Sequence, residues 1–279
     1  MPSYQSLLDD GTATLHAISD TPRIDAEVLM QEVLQRPLAW LLAYAETYAA
    51  PEHIADFYAL LKRRSEGEPI AYILGKKEFW SLELTVNHHV LIPRPETETL
   101  VDAVLDYIPA TQAIKILELG TGSGAIALAL AKERPHTQII AVDVSEDALV
   151  VARHNADKFD LSNIEFIQSD WFTELANRSF DIIVSNPPYV APGDPHLQQG
   201  DLIAEPDVAL IGRGDGLGDI RHICELSRDH LSPQGLLMLE HGWDQATKIK
   251  DIMSQAGFED IQSYRDLNDI ERCTSGVLR

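Results

Sequence analysis

The sequence predicts an α/β fold with a largely parallel sheet, preceded by a small helical domain and joined to it by a β-hairpin connector. Between residues 115 and 185, strand-like and helical segments alternate, and this order builds a parallel sheet with helices on both faces. Before residue 75 the apolar residues follow helical spacing instead. A chain of 279 residues with 45% hydrophobic content can form a core in both domains.

Two segments of the first part show why a helical bundle is expected over residues 1–75. Segments 20–34 and 51–64 each begin near a proline, Pro22 and Pro51, which favours the first turn of a helix. Each segment then places apolar residues three or four positions apart, so one face can pack against a neighbouring helix. These stripes predict a small bundle with its own core.

The second part begins with an alternating segment, EFWSLELTV, within a connector predicted over residues 76–93. Residues 94–279 then form the larger domain. Its strands are predicted at IKILELG, QIIAVD, IEFIQS, FDIIVS and LLMLE, and two terminal runs, FEDIQSYRD and RCTSGVL, should form an antiparallel edge. The long segment 190–217 shows no clear period, and we expect it to form a lid over the functional site.

Charge and composition disfavour several classes of function. The formal net charge of −22 opposes binding to nucleic acid, which depends on Lys and Arg that neutralise phosphates. Only Cys224 and Cys273 are present, without metal-ligand or redox spacing, so we predict no metal site. The sequence shows neither an apolar run long enough for a bilayer nor a secretory signal, which predicts a cytoplasmic protein that does not bind membranes.

A glycine-rich turn between a predicted strand and helix indicates a nucleoside-type ligand. The residues of this turn are Gly120, Thr121, Gly122, Ser123 and Gly124. Glycines let backbone N–H groups approach a ligand where side chains would collide. The next strand ends in Asp143, whose carboxylate can accept both hydroxyls of a ribose.

The glycine-rich turn resembles the first motif of class I methyltransferases that bind S-adenosyl-L-methionine (SAM), and its spacing differs from that of a dinucleotide site. The chain reads G-x-G-x-G, whereas a dinucleotide fingerprint reads G-x-G-x-x-G, so hydride transfer from a nicotinamide is the weaker alternative. Glu118 precedes the turn and could lie near the ammonium group of SAM. After the third strand, Trp171 could stack on the adenine ring and Asp170 could bind its amino group, although Asp170 alone would more simply cap a helix.

The segment SNPPYV at the end of the fourth strand predicts the site of methyl transfer. The side-chain carbonyl of Asn186 and the backbone carbonyl of Pro187 could each accept one N–H of a planar NH₂ group, which turns the nitrogen toward the methyl donor. Pro188 would stiffen the loop, and Tyr189 could pack on the substrate. Adenine, cytosine and glutamine all carry such a group. Asp at position 186 would keep an acceptor, so we expect it to be milder than Ala.

Several longer motifs give the chain a specific resemblance. The segments RIDAEVLM, RRSEGEPIAYILGKKEFW, LIPRPETE, ELGTGSGAIALAL, SNPPYV and LEHGW together resemble the protein-(glutamine-N5) methyltransferases of peptide chain release factors, the PrmC/HemK group. The resemblance covers nearly the whole chain. It implies a class I SAM-dependent, Rossmann-like methyltransferase domain behind a helical domain that recognises the substrate.

The implied activity is methyl transfer from SAM to the side-chain amide nitrogen of the glutamine in the Gly-Gly-Gln loop of release factors, with S-adenosyl-L-homocysteine as product. By resemblance, residues 120–124, Asp143, Trp171 and Asn186 bind the cofactor, and residues 186–189 bind the glutamine. We expect the enzyme to act as a monomer. Two alternatives stay open at this point, an amino-methyltransferase acting on nucleic acid bases and a binding protein without catalysis.

Overall fold

The computed structural model describes residues 1–109 and 111–279 of the chain, which divide into two compact units. The first unit consists of Met1–Gly75 together with Pro195–Ala204. The second consists of Lys76–Asp194 and Glu205–Arg279. The sequence analysis placed residues 195–204 inside the larger domain, so their membership of the helical unit is a feature that the sequence pattern did not indicate.

The first unit is helical. Its helices are α1 (Tyr4–Leu15), α2 (Pro22–Leu34), α3 (Leu38–Ala43), α4 (Pro51–Ser65) and α5 (Ile70–Leu74). Pro22 and Pro51 are the first residues of α2 and α4, where the missing N–H of proline has no intrahelical partner to lose. Gly75 ends α5 in the left-handed conformation at φ 69°, which glycine adopts without a steric penalty.

The core of the helical unit is apolar and closely packed. Leu8, Leu29, Met30 and Phe57 are fully buried in it, and they come from α1, α2 and α4. A Cβ atom at Gly11 of α1 would lie only 2.8 Å from the Phe57 ring, so this glycine allows α1 to approach α4 closely.

One arginine connects residues 195–204 to the rest of the helical unit. Arg64 is 6% exposed, and its Nε donates to Asp25 Oδ2 at 2.8 Å. Its Nη1 donates to Asp201 Oδ1, also at 2.8 Å, and to the carbonyl oxygen of Glu68. A buried guanidinium needs such partners, because an unpaired charge in the interior is strongly destabilising.

The second unit begins with a two-stranded hairpin, β1 (Lys76–Phe79) and β2 (Leu82–Thr85). Its turn places Trp80 and Ser81 at φ 51° and 55°, the conformation that matches the twist of a tight hairpin. The buried side chain of Asn155 donates to the carbonyl oxygens of Thr85 and Ser123 and accepts from the Thr85 N–H. This one amide therefore ties the hairpin to the glycine-rich turn.

A sheet of seven strands forms the centre of this unit within the described part of the chain. The strands are β3 (Lys115–Leu119), β4 (Gln138–Asp143), β5 (Ile164–Gln168), β6 (Phe180–Ser185), β7 (Leu231–Glu240), β8 (Phe258–Arg265) and β9 (Glu271–Leu278). Their order is β5-β4-β3-β6-β7-β9-β8. The first five in that order are parallel, and β9 is antiparallel to both of its neighbours.

Helices cover both faces of this sheet. They are α6 (Glu98–Tyr107), α7 (Ala125–Glu133), α8 (Glu146–Lys158), α9 (Asp207–Leu210), α10 (Gly218–Ser227) and α11 (Ala246–Gln255). Two apolar clusters lie on opposite faces, because alternate residues of each strand point to opposite sides.

The predicted α/β architecture, with a parallel sheet and an antiparallel end, is confirmed. Helix α10 ends at Ser227, and β7 begins at Leu231. No helix among the described residues combines the length and apolar character that a bilayer span requires.

Candidate functional site

A cavity of about 340 Å³ opens in the second unit where the parallel strands end. Residues that follow β3, β4, β5 and β6 line it, as expected for a ligand site of an open α/β sheet. Its volume lies at the lower end of the range typical of small-molecule sites, ~300–1,000 Å³. Its lining includes Gly120, Gly122, Asp143, Asp170, Trp171, Asn186, Pro188, Arg213 and Asp219.

The glycine-rich turn supplies one wall, and its three glycines serve different purposes. Gly120, Gly122 and Gly124 all have positive φ, at 70°, 56° and 86°. A Cβ atom at Gly122 would meet nothing within 4 Å, so the space beside this backbone is open for a ligand. A Cβ atom at Gly124 would instead clash with Leu128 Cδ1, so this glycine is required for packing of the helix start.

Thr121, Ser123 and Glu118 lie behind this wall. Thr121 and Ser123 are 5% and 2% exposed and do not line the cavity. The Thr121 hydroxyl donates to Glu118 Oε2 at 2.6 Å, and the Ala127 N–H donates to the same oxygen at 3.1 Å. Burial raises the pKa of Glu118 to about 8, although these hydrogen bonds oppose the shift. Glu118 therefore holds the turn to α7 and does not border the cavity, contrary to its expected place beside the cofactor.

Asp143 lies where the sequence analysis expected it, at the end of β4 and in the cavity lining. Its Oδ2 accepts the Gly122 N–H and its Oδ1 accepts the Ser145 N–H, both at 2.9 Å. Burial raises the pKa of this carboxyl, and the backbone hydrogen bonds oppose the rise. Each oxygen keeps a second lone pair for a ligand hydroxyl, so Asp143 can hold the turn and a ribose together.

Asp170 and Trp171 follow β5 and line the cavity. Trp171 has φ 52°, and its Cζ3 would lie 3.9 Å from a Cβ atom at Gly120. Turns rather than a helix follow Asp170, so its simpler interpretation as a helix cap is wrong. The hydroxyl that fixes this turn belongs to Ser169, which accepts the Glu174 N–H and donates to the Trp171 carbonyl oxygen.

Asn186 follows β6 and lines the same cavity. Its side-chain nitrogen donates to Thr97 Oγ1 at 3.3 Å. Glu240, a carboxyl that is 2% exposed at the end of β7, lies near both side chains, and their hydrogen-bonding groups oppose the rise in its pKa that burial causes. The sequence analysis missed both Thr97 and Glu240. A carboxylate that ends an apolar strand next to β6 was the available signal for Glu240.

The rest of the NPPY segment is divided between the cavity and the protein interior. Pro188 lines the cavity, whereas Pro187 is buried and Tyr189 packs on one of the two apolar clusters of the sheet. The Tyr189 carbonyl oxygen accepts from the Gln245 side chain at 3.0 Å. Burial raises the pKa of the Tyr189 hydroxyl, and the charge of Glu240 adds to the shift. Tyr189 thus anchors the loop to the sheet. Contact between its ring and a substrate stays a prediction.

The segment expected to form a lid splits into two parts. Residues 195–204 belong to the helical unit, whereas residues 206–213 return to the second unit and contribute to the cavity wall. The Val190 N–H donates to the Leu210 carbonyl oxygen and the Gly212 N–H donates to the Val190 carbonyl oxygen, both at 3.0 Å. These bonds fix the returning part as a wall beside the NPPY segment.

Arg94 of the LIPRPETE motif and His241 of the LEHGW motif both have structural partners. Arg94 donates twice from Nη2 to the buried carboxylate of Glu205, at 2.6 and 2.8 Å, and does not line the cavity. His241 is fully buried, and its ring nitrogens form hydrogen bonds with the Gly242 carbonyl oxygen and Thr274 Oγ1, so it is a structural residue.

The charged groups in the lining are mostly acidic. Within the described part of the chain, Asp143 and Asp170 have no cationic side chain as a partner, whereas Asp219 is paired with Arg213 at 2.6 Å. Such a lining suits a ligand that carries positive charge. Among the described residues, no group of three or more His, Cys, Asp or Glu is arranged to hold a metal ion.

Two family models match the chain. The model of the "PrmC N-terminal domain" matches residues 6–75, and the model of a "Methyltransferase domain" matches residues 110–268. The two matches correspond to the contiguous part of the helical unit and to most of the sheet-containing unit.

Curated relatives match over nearly their full length. A protein of Escherichia coli K12 named release factor glutamine methyltransferase is 48% identical, over 98% of this chain and 98% of its own. A Xylella fastidiosa protein of the same name is 42% identical, over 99% and 98%. Among solved structures, a methyltransferase from Pyrococcus furiosus has a TM-score of 0.54 at 19% identity, covering 77% of this chain and 96% of its own. At that identity the structural likeness concerns the fold alone.

Proposed function

Because the chain belongs to the family of release factor glutamine methyltransferases, we propose that it transfers a methyl group from SAM to a glutamine of peptide chain release factors. The acceptor is the side-chain amide nitrogen, N5, of the glutamine in the Gly-Gly-Gln loop. The enzyme thereby acts in translation termination, and it is located in the cytoplasm, where release factors act. We infer a monomeric enzyme.

One observation carries the proposal: Asn186 lines the same cavity as the glycine-rich turn and Asp143, while its side-chain nitrogen points to Thr97 and Glu240. The amide carbonyl is therefore the part of Asn186 that is available to a substrate. An acceptor at this place suits a planar NH₂ group, which offers two N–H donors.

The cavity fits SAM by its backbone and its charge. The open space beside Gly122 lets a ligand approach the backbone, and the carboxylate of Asp143 can accept the ribose hydroxyls. Trp171 offers a ring face for adenine, and Asp170 an acceptor for its amino group. Backbone groups of residues 120–124 and the side chain of Asn186 complete the proposed cofactor contacts. When bound, SAM supplies an electrophilic methyl group on a positively charged sulfur.

Asn186 and the backbone carbonyl of Pro187 orient the acceptor amide in this proposal. An amide nitrogen is a poor nucleophile because its lone pair is delocalised into the carbonyl group. Two N–H hydrogen bonds to Asn186 and Pro187 hold this nitrogen in line with the methyl donor. Alignment of reactants can supply ~7–11 kcal/mol of barrier reduction, and a preorganised polar contact ~3 kcal/mol. The amide proton becomes acidic as the methyl group arrives, so the residues need not remove it beforehand.

Recognition of the whole release factor is assigned to the helical unit. A Gly-Gly-Gln peptide can fill the cavity near Asn186, but a folded partner can also contact a surface away from it. Such remote contacts improve the alignment of the reacting groups. The net charge of −22 opposes the alternative of a nucleic acid substrate, because Lys and Arg contacts to phosphates dominate that kind of binding.

The test is methyl transfer from labelled SAM to three substrates: an intact release factor, the same factor with its Gly-Gly-Gln glutamine replaced by Glu, and duplex DNA. We expect label only in the first, and mass spectrometry of the digested factor should place one methyl group on that glutamine. Label in the glutamine-free factor would refute the assigned acceptor. Label in DNA would favour a base amino-methyltransferase.

A further inference from the structure

A buried carboxyl lies beside the proposed methyl-transfer site, and the reaction described above gives it no role. Glu240 is the last residue of β7, which is paired with β6 just before Asn186. It is 2% exposed, and its Oε2 has no hydrogen-bond partner among the described residues. Burial of a carboxyl with an unsatisfied oxygen is unfavourable, so its presence calls for an explanation by function. The nearest candidate is a role in the methyl-transfer site beside Asn186.

The side chains that approach Glu240 come from the site itself. Thr97 is 4% exposed and ends the short 3₁₀ helix Pro95–Thr97, and its hydroxyl lies near Glu240, where it favours the charged form of the carboxyl. Asn186 lies near Glu240 as well, because β6 and β7 pair Ser185 with Leu239 one residue earlier, and its Nδ2 donates to Thr97 Oγ1 at 3.3 Å. Two acceptors of the protein therefore face the NH₂ end of the Asn186 amide.

This arrangement decides which end of the amide faces the cavity. An ionised carboxylate can only accept hydrogen bonds, so the carbonyl oxygen of Asn186 cannot turn toward Glu240 without repulsion. The Thr97 hydroxyl uses its single proton toward Glu240 and is left as an acceptor for Asn186. The nitrogen of Asn186 is thus held inside, and its oxygen is left for the substrate.

We infer that Glu240 and Thr97 are positioning residues that lock the Asn186 amide with its carbonyl oxygen toward the substrate N–H. This inference rests on the proposed function. A protonated Glu240 would act differently, because its O–H can donate to a reversed Asn186 carbonyl. The reversed amide presents N–H groups to the N–H groups of the substrate and cannot bind them.

The lock therefore depends on pH. Burial raises the pKa of Glu240 to about 7. Hydrogen bonding by Thr97 and Asn186 and the positive charge of Arg272 oppose this rise. The negative charge of Glu96 adds to it. The other ionisable groups that sense its charge are Tyr189 and Cys273, whose own pKa values are raised mainly by burial. Glu240 is ionised above its pKa, so the lock holds there and is lost as the pH falls through about 7.

The first experiment measures kcat against pH for wild type and Glu240→Gln, with saturating SAM and intact release factor. Glutamine can present either its oxygen or its nitrogen to Asn186, so it no longer fixes the orientation of the Asn186 amide. We expect kcat at high pH to fall by about 10-fold to 100-fold, which corresponds to the loss of one hydrogen bond to a charged group. The decline of the wild-type rate toward low pH should be absent from the variant. SAM affinity, measured by calorimetry, should fall much less than kcat, because Glu240 does not line the cavity and Asn186 is only one of the proposed cofactor contacts.

Two further comparisons keep the test decisive if Glu240→Gln fails to fold. Thr97→Val removes the hydroxyl and should lower kcat, whereas Thr97→Ser keeps it and should restore most of the rate. Glu96→Gln removes a like charge, so it should move the low-pH decline of the rate to lower pH. A Glu240→Gln enzyme with unchanged kcat and an unchanged pH profile would overturn the inference, as would a Glu96→Gln profile that does not move. A wild-type enzyme that leaves release factor unmethylated would instead refute the proposed function.

Discussion

Replacement of Asn186 by Asp is the substitution for which the structure most changes the expectation. From sequence alone, Asp keeps an acceptor and should be milder than Ala. In the structure, the NH₂ group that Asp would lose is the donor to Thr97, and it lies near the carboxyl of Glu240. Asn186→Asp therefore places a second carboxylate against a buried one, and we expect it to be at least as damaging as Asn186→Ala.

The repulsion can be estimated from the contact between residues 186 and 240. Two unit charges about 4 Å apart, in an environment with an effective dielectric constant of about 20, repel by ~4 kcal/mol. At neutral pH the pair avoids this energy by keeping one shared proton, as paired carboxyls do. The oxygen offered to the substrate is then no longer a fixed acceptor, and the single-turnover rate should fall ~100-fold or more, like that of Asn186→Ala.

The assay compares single-turnover methylation of intact release factor by four variants. Asn186→Asp combined with Glu240→Gln should recover ~10-fold over Asn186→Asp alone, because the amide introduced by Glu240→Gln can donate to the new carboxylate and restore the inward hydrogen bond. Asn186→Ala combined with Glu240→Gln is the matched control and should show no recovery. An Asn186→Asp enzyme faster than Asn186→Ala, and not improved by Glu240→Gln, would refute this account of the site.

Three further predictions concern the cavity wall and the buried residues behind it. Asp143→Ala should weaken SAM binding by about 10-fold to 100-fold in calorimetry, since it removes a charged acceptor from the lining, whereas exposed Asp157→Ala should leave affinity unchanged. Gly122→Ala should weaken SAM binding through the space its methyl group fills, while Gly124→Ala should mainly lower the free energy of unfolding, by ~2 kcal/mol or more, as read from urea denaturation. Glu118→Gln should flatten the pH dependence of the free energy of unfolding. The pKa of Glu118 is raised from 4.5 to about 8 in the folded protein, so the wild-type protein becomes less stable as the pH rises through that window. The variant with glutamine does not lose stability in this way. Equal slopes for the two proteins would contradict the buried, protonated state of Glu118.

The residues of the site that sequence alone could predict are those that directly follow a strand. Gly120, Asp143, Trp171 and Asn186 come within a few residues of an apolar run, and the ends of parallel strands meet at one edge. Such positions can be inferred from local pattern because the sheet brings them together whatever the details of packing.

The residues that were missed depend on pairing between distant segments. Thr97 lies in the LIPRPETE motif, far from Asn186 in the sequence, and Glu240 lies near Asn186 only because β7 is the neighbour of β6. The terminal motif ERCTSGVLR is not distinctive as a sequence, yet β9 lies inside the sheet and places Arg272 near Glu240. Buried contacts between distant segments produce no periodic pattern in the sequence, so they cannot be predicted from it.

The return of residues 195–204 to the helical unit affects how the two units can be separated or exchanged. A truncation that begins at residue 76 removes Arg64, the partner of Asp201, and leaves that stretch without the helices it packs with. Loss of activity in such a truncation would therefore not distinguish failed recognition of a partner from a disturbed cavity wall, because residues 206–213 follow directly in the chain. The helical unit is not a detachable module of residues 1–75, so a chimera that borrows it from a relative should transplant residues 195–204 along with it.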